Sequence, residues 1–154
     1  MIFVSLGTSD PFDRLLRAAN RLPRDEPLVV QCGASPLRPF GATCFDFLPF
    51  ERVLELMREA RVVVTHAGVG SIMAARTVGK RPIVVPRLSR FGEAVDDHQV
   101  ALARRLHAVG LVTLVEDPDE LAAAVAAEHS FERATSGGAL VEELRGYLAV
   151  AVAR

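Results

Sequence analysis

The sequence has no excess of charge of either sign, few cysteines, and no apolar run that approaches the ~20 residues of a membrane-spanning helix. Lysine and arginine number 18 against 19 aspartates and glutamates, a formal net charge of −1. Such a balance lacks the basic surplus that neutralises phosphates along a duplex, so a nucleic-acid binder is excluded. Cys32 and Cys44 match no metal or redox spacing and sit in apolar segments, so both read as ordinary buried thiols. The four histidines are scattered, with no carboxylate at ligand spacing, so no metal site is expected. His107 and His129 read as helix or surface residues. Met1 leads directly into Ile2-Phe3-Val4-Ser5-Leu6 without a basic n-region, so no secretory signal is read. The expectation is a cytoplasmic protein whose membrane contact, if it has any, is peripheral or made through a partner.

What is present is a globular composition. Half of the 154 residues are hydrophobic and 24% are charged, which suits one domain with its own core. Short unbroken apolar runs alternate with helical patterns. The runs are Ile2–Leu6, Leu28–Cys32, Thr43–Phe47, Val62–Thr65, Pro82–Pro86 and Leu111–Val115. Helical spacing follows most of them, for instance Phe12, Leu15, Leu16 and Ala19, then Val53, Leu56, Met57 and Ala60. Asp10-Pro11 reads as a helix start, with Asp10 as cap and Pro11 in the first helical position. Gly70-Ser71 opens another helix, which Gly79 closes. Strands without polar alternation, each followed by a helix, imply an α/β doubly wound parallel sheet with strand order 3-2-1-4-5-6. After a Thr135-Ser136-Gly137-Gly138 link, residues 139–154 form a C-terminal helix with Leu140, Leu144, Tyr147, Leu148 and Ala151 on one face. That face either packs on its own domain or docks on another chain.

In such a sheet, ligands bind beyond the carboxyl ends of the strands where the strand order reverses. The order above puts that point between strands 1 and 4. It makes neighbours of the loops Gly7-Thr8-Ser9-Asp10 and His66-Ala67-Gly68-Val69-Gly70-Ser71. Each loop ends at a helix N-terminus, where free N–H groups and the helix dipole favour an anion. Glycine lets backbone approach phosphate, and Thr8 and Ser71 add hydroxyl donors. A pyrophosphate is the natural occupant. Met73 stands where a dinucleotide fingerprint has its third glycine, and there is no Gly-Lys-Ser/Thr phosphate loop, so neither standard motif applies. A third, long loop follows strand 5 and ends in Asp97-His98-Gln99, hydroxyl-binding side chains at a helix start; Asp96 or Asp97 also suits a plain N-cap. His66 closes a buried strand, as a structural histidine or as one that touches ligand.

His66-Ala67-Gly68-Val69-Gly70-Ser71, Gly79-Lys80-Arg81-Pro82-Ile83-Val84-Val85-Pro86, Asp97-His98-Gln99 and the opening Phe3-Val4-Ser5-Leu6-Gly7-Thr8 resemble the C-terminal, donor-binding domain of family 28 GT-B glycosyltransferases. The likeness covers roughly the first 115 residues. It is nearest to stand-alone versions of that domain, the catalytic subunit of the split dolichol-linked GlcNAc transferase and its bacterial exopolysaccharide counterparts.

The resemblance implies an inverting, metal-independent hexosyl transfer from a UDP-sugar, which is a substrate and not a cofactor. By the match of motifs, Gly7 and Thr8 face the diphosphate or the acceptor side, and Gly68, Gly70 and Ser71 hold the diphosphate. Phe47 and Leu48 pack the uracil, and His98 and Gln99 bind donor-sugar hydroxyls, with Asp97 beside them. Many relatives carry a ribose-binding Glu where this chain has Ala74, so ribose recognition is expected from Glu93 or an Asp of the long loop. A GT-B enzyme has a second domain that carries the acceptor and the general base, and this chain has no room for it. The expected partner is a membrane-associated acceptor-domain subunit presenting a lipid-linked saccharide; His66 is the one weak candidate base within the chain. The alternative is a non-catalytic nucleotide-binding or interaction domain on the same fold.

Overall fold

Each apolar run becomes a strand in a computed structural model of the chain, which describes residues 1–128 and 137–152. The strands are β1 (Ile2–Ser5), β2 (Leu28–Gln31), β3 (Thr43–Phe45), β4 (Val62–His66), β5 (Ile83–Val85) and β6 (Thr113–Leu114). They form one parallel sheet in the order β3-β2-β1-β4-β5-β6, the order expected from the sequence. The helices are α1 (Asp13–Asn20), α2 (Phe50–Glu59), α3 (Val69–Thr77), α4 (His98–Ala108), α5 (Leu121–Ala127) and α6 (Gly137–Val152).

Strand register sorts the core into two faces. Side chains alternate along a strand, and in-register neighbours point the same way. Val4, Val30 and Val64 share one face with Leu15 and Leu16 of α1 and Leu121 and Val125 of α5. Phe3, Val29 and Val63 share the other with Val53 and Met57 of α2 and Ala74 and Ala75 of α3. That second face continues through Val84 to Leu102 and Leu106 of α4 and Leu144 of α6. Burial on both faces is why β1, β2, β4 and β5 read as apolar runs, while the edge strands β3 and β6 are only partly covered.

Two sequence expectations shift. The first helix starts at Asp13, three residues after the expected cap, and Phe12 is its N-cap without a side-chain bond. The Phe12 N–H instead donates to Ser35 Oγ at 2.6 Å, a partner 23 residues away that local propensity does not register. The C-terminal helix starts at Gly137, two residues before the expected start, and of the two expected places it takes the one on its own domain: Tyr147 Oη donates to the His98 carbonyl at 3.1 Å, and Arg105 pairs with Glu143 at 2.8 Å. His129, Thr135 and Ser136 lie outside the described residues. Among the described residues no helix is long and apolar enough to cross a membrane.

Candidate functional site

At the carboxyl edge, the loops after β1 and β4 border a cleft of about 490 Å³. Gly7, Thr8, Gln31, Leu48, Gly70 and Ser71 are among its lining residues, with Ser5, Phe50, His66 and Ala74. The structure therefore brings together six of the expected site residues: Gly7, Thr8, Leu48, His66, Gly70 and Ser71. Phe47 lies one residue along the chain from the lining, with 57% of its surface exposed, and Gly68 lies between the lining residues His66 and Gly70, two residues from each.

The glycines do two different jobs. A Cβ on Gly7 would come within 2.5 Å of His66 Cε1, and one on Gly68 within 2.8 Å of His66 Cδ2 and nearer still to Nε2. The imidazole is thus a wedge between the two loops, occupying the space both missing side chains leave. Gly7 also has φ +78°, a backbone state that favours glycine. Gly70 differs: a Cβ there meets nothing within 4 Å, so it leaves the cleft open. Gly68 caps α3 with no side-chain bond to the first turn, which leaves the helix N-terminus ready for an anion.

Burial, with help from the Arg87 charge, drops the His66 pKa from 6.5 to about 4. Its contact with Ser5 backbone opposes this only in part. The ring is neutral near pH 7, and its basicity is poorly matched to proton abstraction there. His66 thus fills the space between the two loops, and as a candidate base it is a weak proton acceptor.

The loop after β5 is fastened by an alternating stack of cations and rings. Arg87 lies 4.7 Å from the Phe12 ring centre, Arg14 5.3 Å from the same ring and 5.2 Å from Phe91, and Arg90 4.9 Å from Phe91. Arg87 is 2% exposed, and its guanidinium donates to the Leu6 and Pro11 carbonyls, each at 2.9 Å. Burial lowers its pKa, while Asp10 and Glu93 oppose that.

Glu93 belongs to this fastening, which overturns its expected role at the ribose. It takes both prongs of Arg14, at 2.9 and 2.8 Å, and the Leu88 N–H at 3.0 Å. It is buried and does not line the cleft. The Asp97-His98-Gln99 group also lies outside that lining. Asp97 accepts the Ser89 N–H at 2.8 Å and Gln99 accepts the Arg87 N–H at 3.1 Å, so both hold the loop in shape. Asp97 lines a neighbouring groove with Leu88, Arg90 and Arg104. His98 is exposed and its Nδ1 lies 2.7 Å from Asp96, which also accepts the His98 N–H, so the capping carboxylate is Asp96.

Sequence reasoning missed Gln31 and Phe50. Gln31 carried a signal, as a lone polar side chain closing the Leu28-Val29-Val30 run at the functional end of the sheet. Among the described residues no group of three or more histidines, cysteines or carboxylates is placed to hold a metal.

A parallel sheet in this order, with two glycine-bearing loops and a cleft at its switch point, defines a doubly wound, Rossmann-like α/β domain. The family model described as the glycosyltransferase family 28 C-terminal domain matches residues 1–136, and the chain belongs to that family. It is 34% identical over 131 residues to the UDP-N-acetylglucosamine transferase subunit ALG13 of Eremothecium gossypii, covering 82% of this chain and 62% of that protein. The protein of the same name from Yarrowia lipolytica is 38% identical over 50 residues, 32% of this chain and 24% of that one. Among solved structures, the glycotransferase of kitacinnamycin aligns with a TM-score of 0.58 at 25% identity, over 94% of this chain and 37% of the other. The calicheamicin glycosyltransferase CalG4 aligns with a TM-score of 0.59 at 20% identity over the same shares, a likeness of fold alone. The chain thus spans less than two thirds of each of these relatives.

Proposed function

We propose that this chain is the donor-binding part of a glycosyltransferase that uses a UDP-sugar. The observation that carries the reading is the cleft where Gly7-Thr8 and Gly70-Ser71 meet at the N-terminus of α3. The diphosphate sits against those N–H groups and hydroxyls. As the glycosidic bond to the sugar breaks, charge grows on the departing diphosphate, and preorganised dipoles stabilise it without reorganising. Leu48 and Phe50 offer an apolar seat for the base.

The finer reading is an inverting, metal-independent hexosyl transfer to a lipid-linked saccharide in polysaccharide or glycolipid synthesis. The acceptor and the general base come from a membrane-associated partner, which recruits this chain to the cytoplasmic face. The low basicity of His66 supports a base supplied from outside. The ALG13 relatives, which are named as subunits, support the partner.

Calorimetry with UDP and UDP-sugars tests the site, and a transfer assay on the isolated chain tests the division of labour. Expected are UDP binding and no transfer by the chain alone. Absence of UDP binding refutes the donor site; robust transfer by the isolated chain refutes the need for a partner.

A further inference from the structure

Gln31 lies in the row of side chains that closes the α2/α3 face of the sheet. Register places Gln31 beside Ser5, and Ser5 beside Thr65, in the rung directly beyond Phe3, Val29 and Val63. The lower rung is apolar and packs on α2 and α3. On β2, β1 and β4 the upper rung is polar, and its Ser5 and Gln31 line the cleft. Thr65 Oγ1 is satisfied by the Ser5 carbonyl at 3.0 Å. Gln31 is not so served: it is 3% exposed, and its Oε1 is buried with no hydrogen-bond partner. A buried amide oxygen without a donor loses roughly 1–3 kcal/mol relative to one in water, so such an atom in a ligand cleft marks where a ligand donates.

The strand order says which part of the ligand that is. The base seat, Leu48 and Phe50, follows β3; Gln31 ends β2; Gly7 and Thr8 follow β1; Gly70 and Ser71 follow β4. Read across the sheet as β3-β2-β1-β4, the cleft offers an apolar seat, an amide, then the anion site. A nucleoside diphosphate has the same order: base, ribose, diphosphate. Ala74 lines the same cleft across from the sheet and is too small to reach the ribose.

Resting on the donor reading above, we propose that Gln31 is the ribose-recognition residue, its amide oxygen accepting a hydrogen bond from a ribose hydroxyl of the donor nucleotide. One satisfied buried bond corresponds to roughly a tenfold change in affinity.

The test compares wild type with Gln31→Leu, near-isosteric but without the amide, using UDP, 2′,3′-dideoxy-UDP, CDP and inorganic pyrophosphate. Expected in wild type is UDP binding about tenfold tighter than the dideoxy analogue. In Gln31→Leu that difference disappears through weaker UDP binding, with pyrophosphate binding unchanged. In wild type, the Gln31 side-chain amide resonances should also shift with UDP and stay still with pyrophosphate, a readout independent of how the variant folds. Retained discrimination between UDP and the dideoxy analogue in Gln31→Leu overturns the proposal, as do amide resonances that ignore UDP. Loss of UDP-over-CDP preference with ribose discrimination intact overturns it too, by assigning Gln31 to the base. Wild type that binds pyrophosphate but UDP no better refutes nucleoside recognition by Gln31 and leaves the anion site standing. Wild type that binds neither overturns the donor reading and this proposal with it.

Discussion

Substituting Gly68 by alanine tests whether the His66 ring is a wedge. Gly68 has φ −79°, which alanine adopts freely, so the backbone sets no penalty. The new Cβ collides with the imidazole, and the ring is backed on its other side by Gly7. Overpacking of this kind costs about 1–3 kcal/mol. Loss of glycine as the cap of α3 adds roughly 0.5–1 kcal/mol. Gly68→Ala should therefore lower stability by about 1.5–4 kcal/mol in total. In a His66→Ala background the collision has no partner, and only the capping loss of roughly 0.5–1 kcal/mol remains. The double-mutant cycle, measured by urea unfolding of the four proteins, should give a coupling of about 1–3 kcal/mol. Gly7→Ala makes an internal control. Its φ of +78° adds about 1–2 kcal/mol that His66→Ala cannot remove. A coupling below about 0.5 kcal/mol between Gly68→Ala and His66→Ala refutes the wedge.

The depressed His66 pKa makes the fold sensitive to acid. Between pH 6.5 and 4 the unfolded chain takes up a proton that the folded ring refuses, so this contribution is intact above pH 6.5 and is lost on acidification. The loss should approach about 3 kcal/mol at pH 4 by denaturant titration, and equal acid sensitivity in His66→Ala contradicts the assignment. Glu93→Gln keeps the shape but removes the charge that takes both prongs of Arg14. It should lower stability by about 1–3 kcal/mol while leaving UDP affinity within about twofold; a large loss of UDP affinity without loss of stability restores Glu93 to the ribose. Ser35→Ala strands the buried Phe12 N–H and should cost about 1–3 kcal/mol in thermal or urea unfolding.

The strand order was legible because burial on both faces makes each inner strand an apolar run, and right-handed crossovers leave few ways to order such strands. The two glycine loops were legible for the same topological reason. What was not legible lay in contacts across long stretches of chain. Gly7 and Gly68 read as phosphate-approach glycines, yet both make room for His66, a fact that needs the loops after β1 and β4 in place at once. Glu93 read as a free acid because its partner Arg14 is 79 residues away. Gln31 was passed over as part of a strand, although a polar residue at the carboxyl end of a buried run is the place where a side chain leaves the core and meets ligand.

The stack from Arg87 through Phe12, Arg14 and Phe91 to Arg90 bears on how firmly the loop after β5 is held. To swing the loop after β5 away from α1, the ring contacts, the two-pronged Arg14–Glu93 pair and the buried Arg87 bonds must all give way together. Opening the anchored end of that loop therefore costs several contacts at once, and the Arg87 and Leu88 amides, bonded to Gln99 and Glu93, should exchange with solvent more slowly than those around the exposed Val95. A protein that docks on this loop then meets a surface already set, with little loop entropy left to lose on binding.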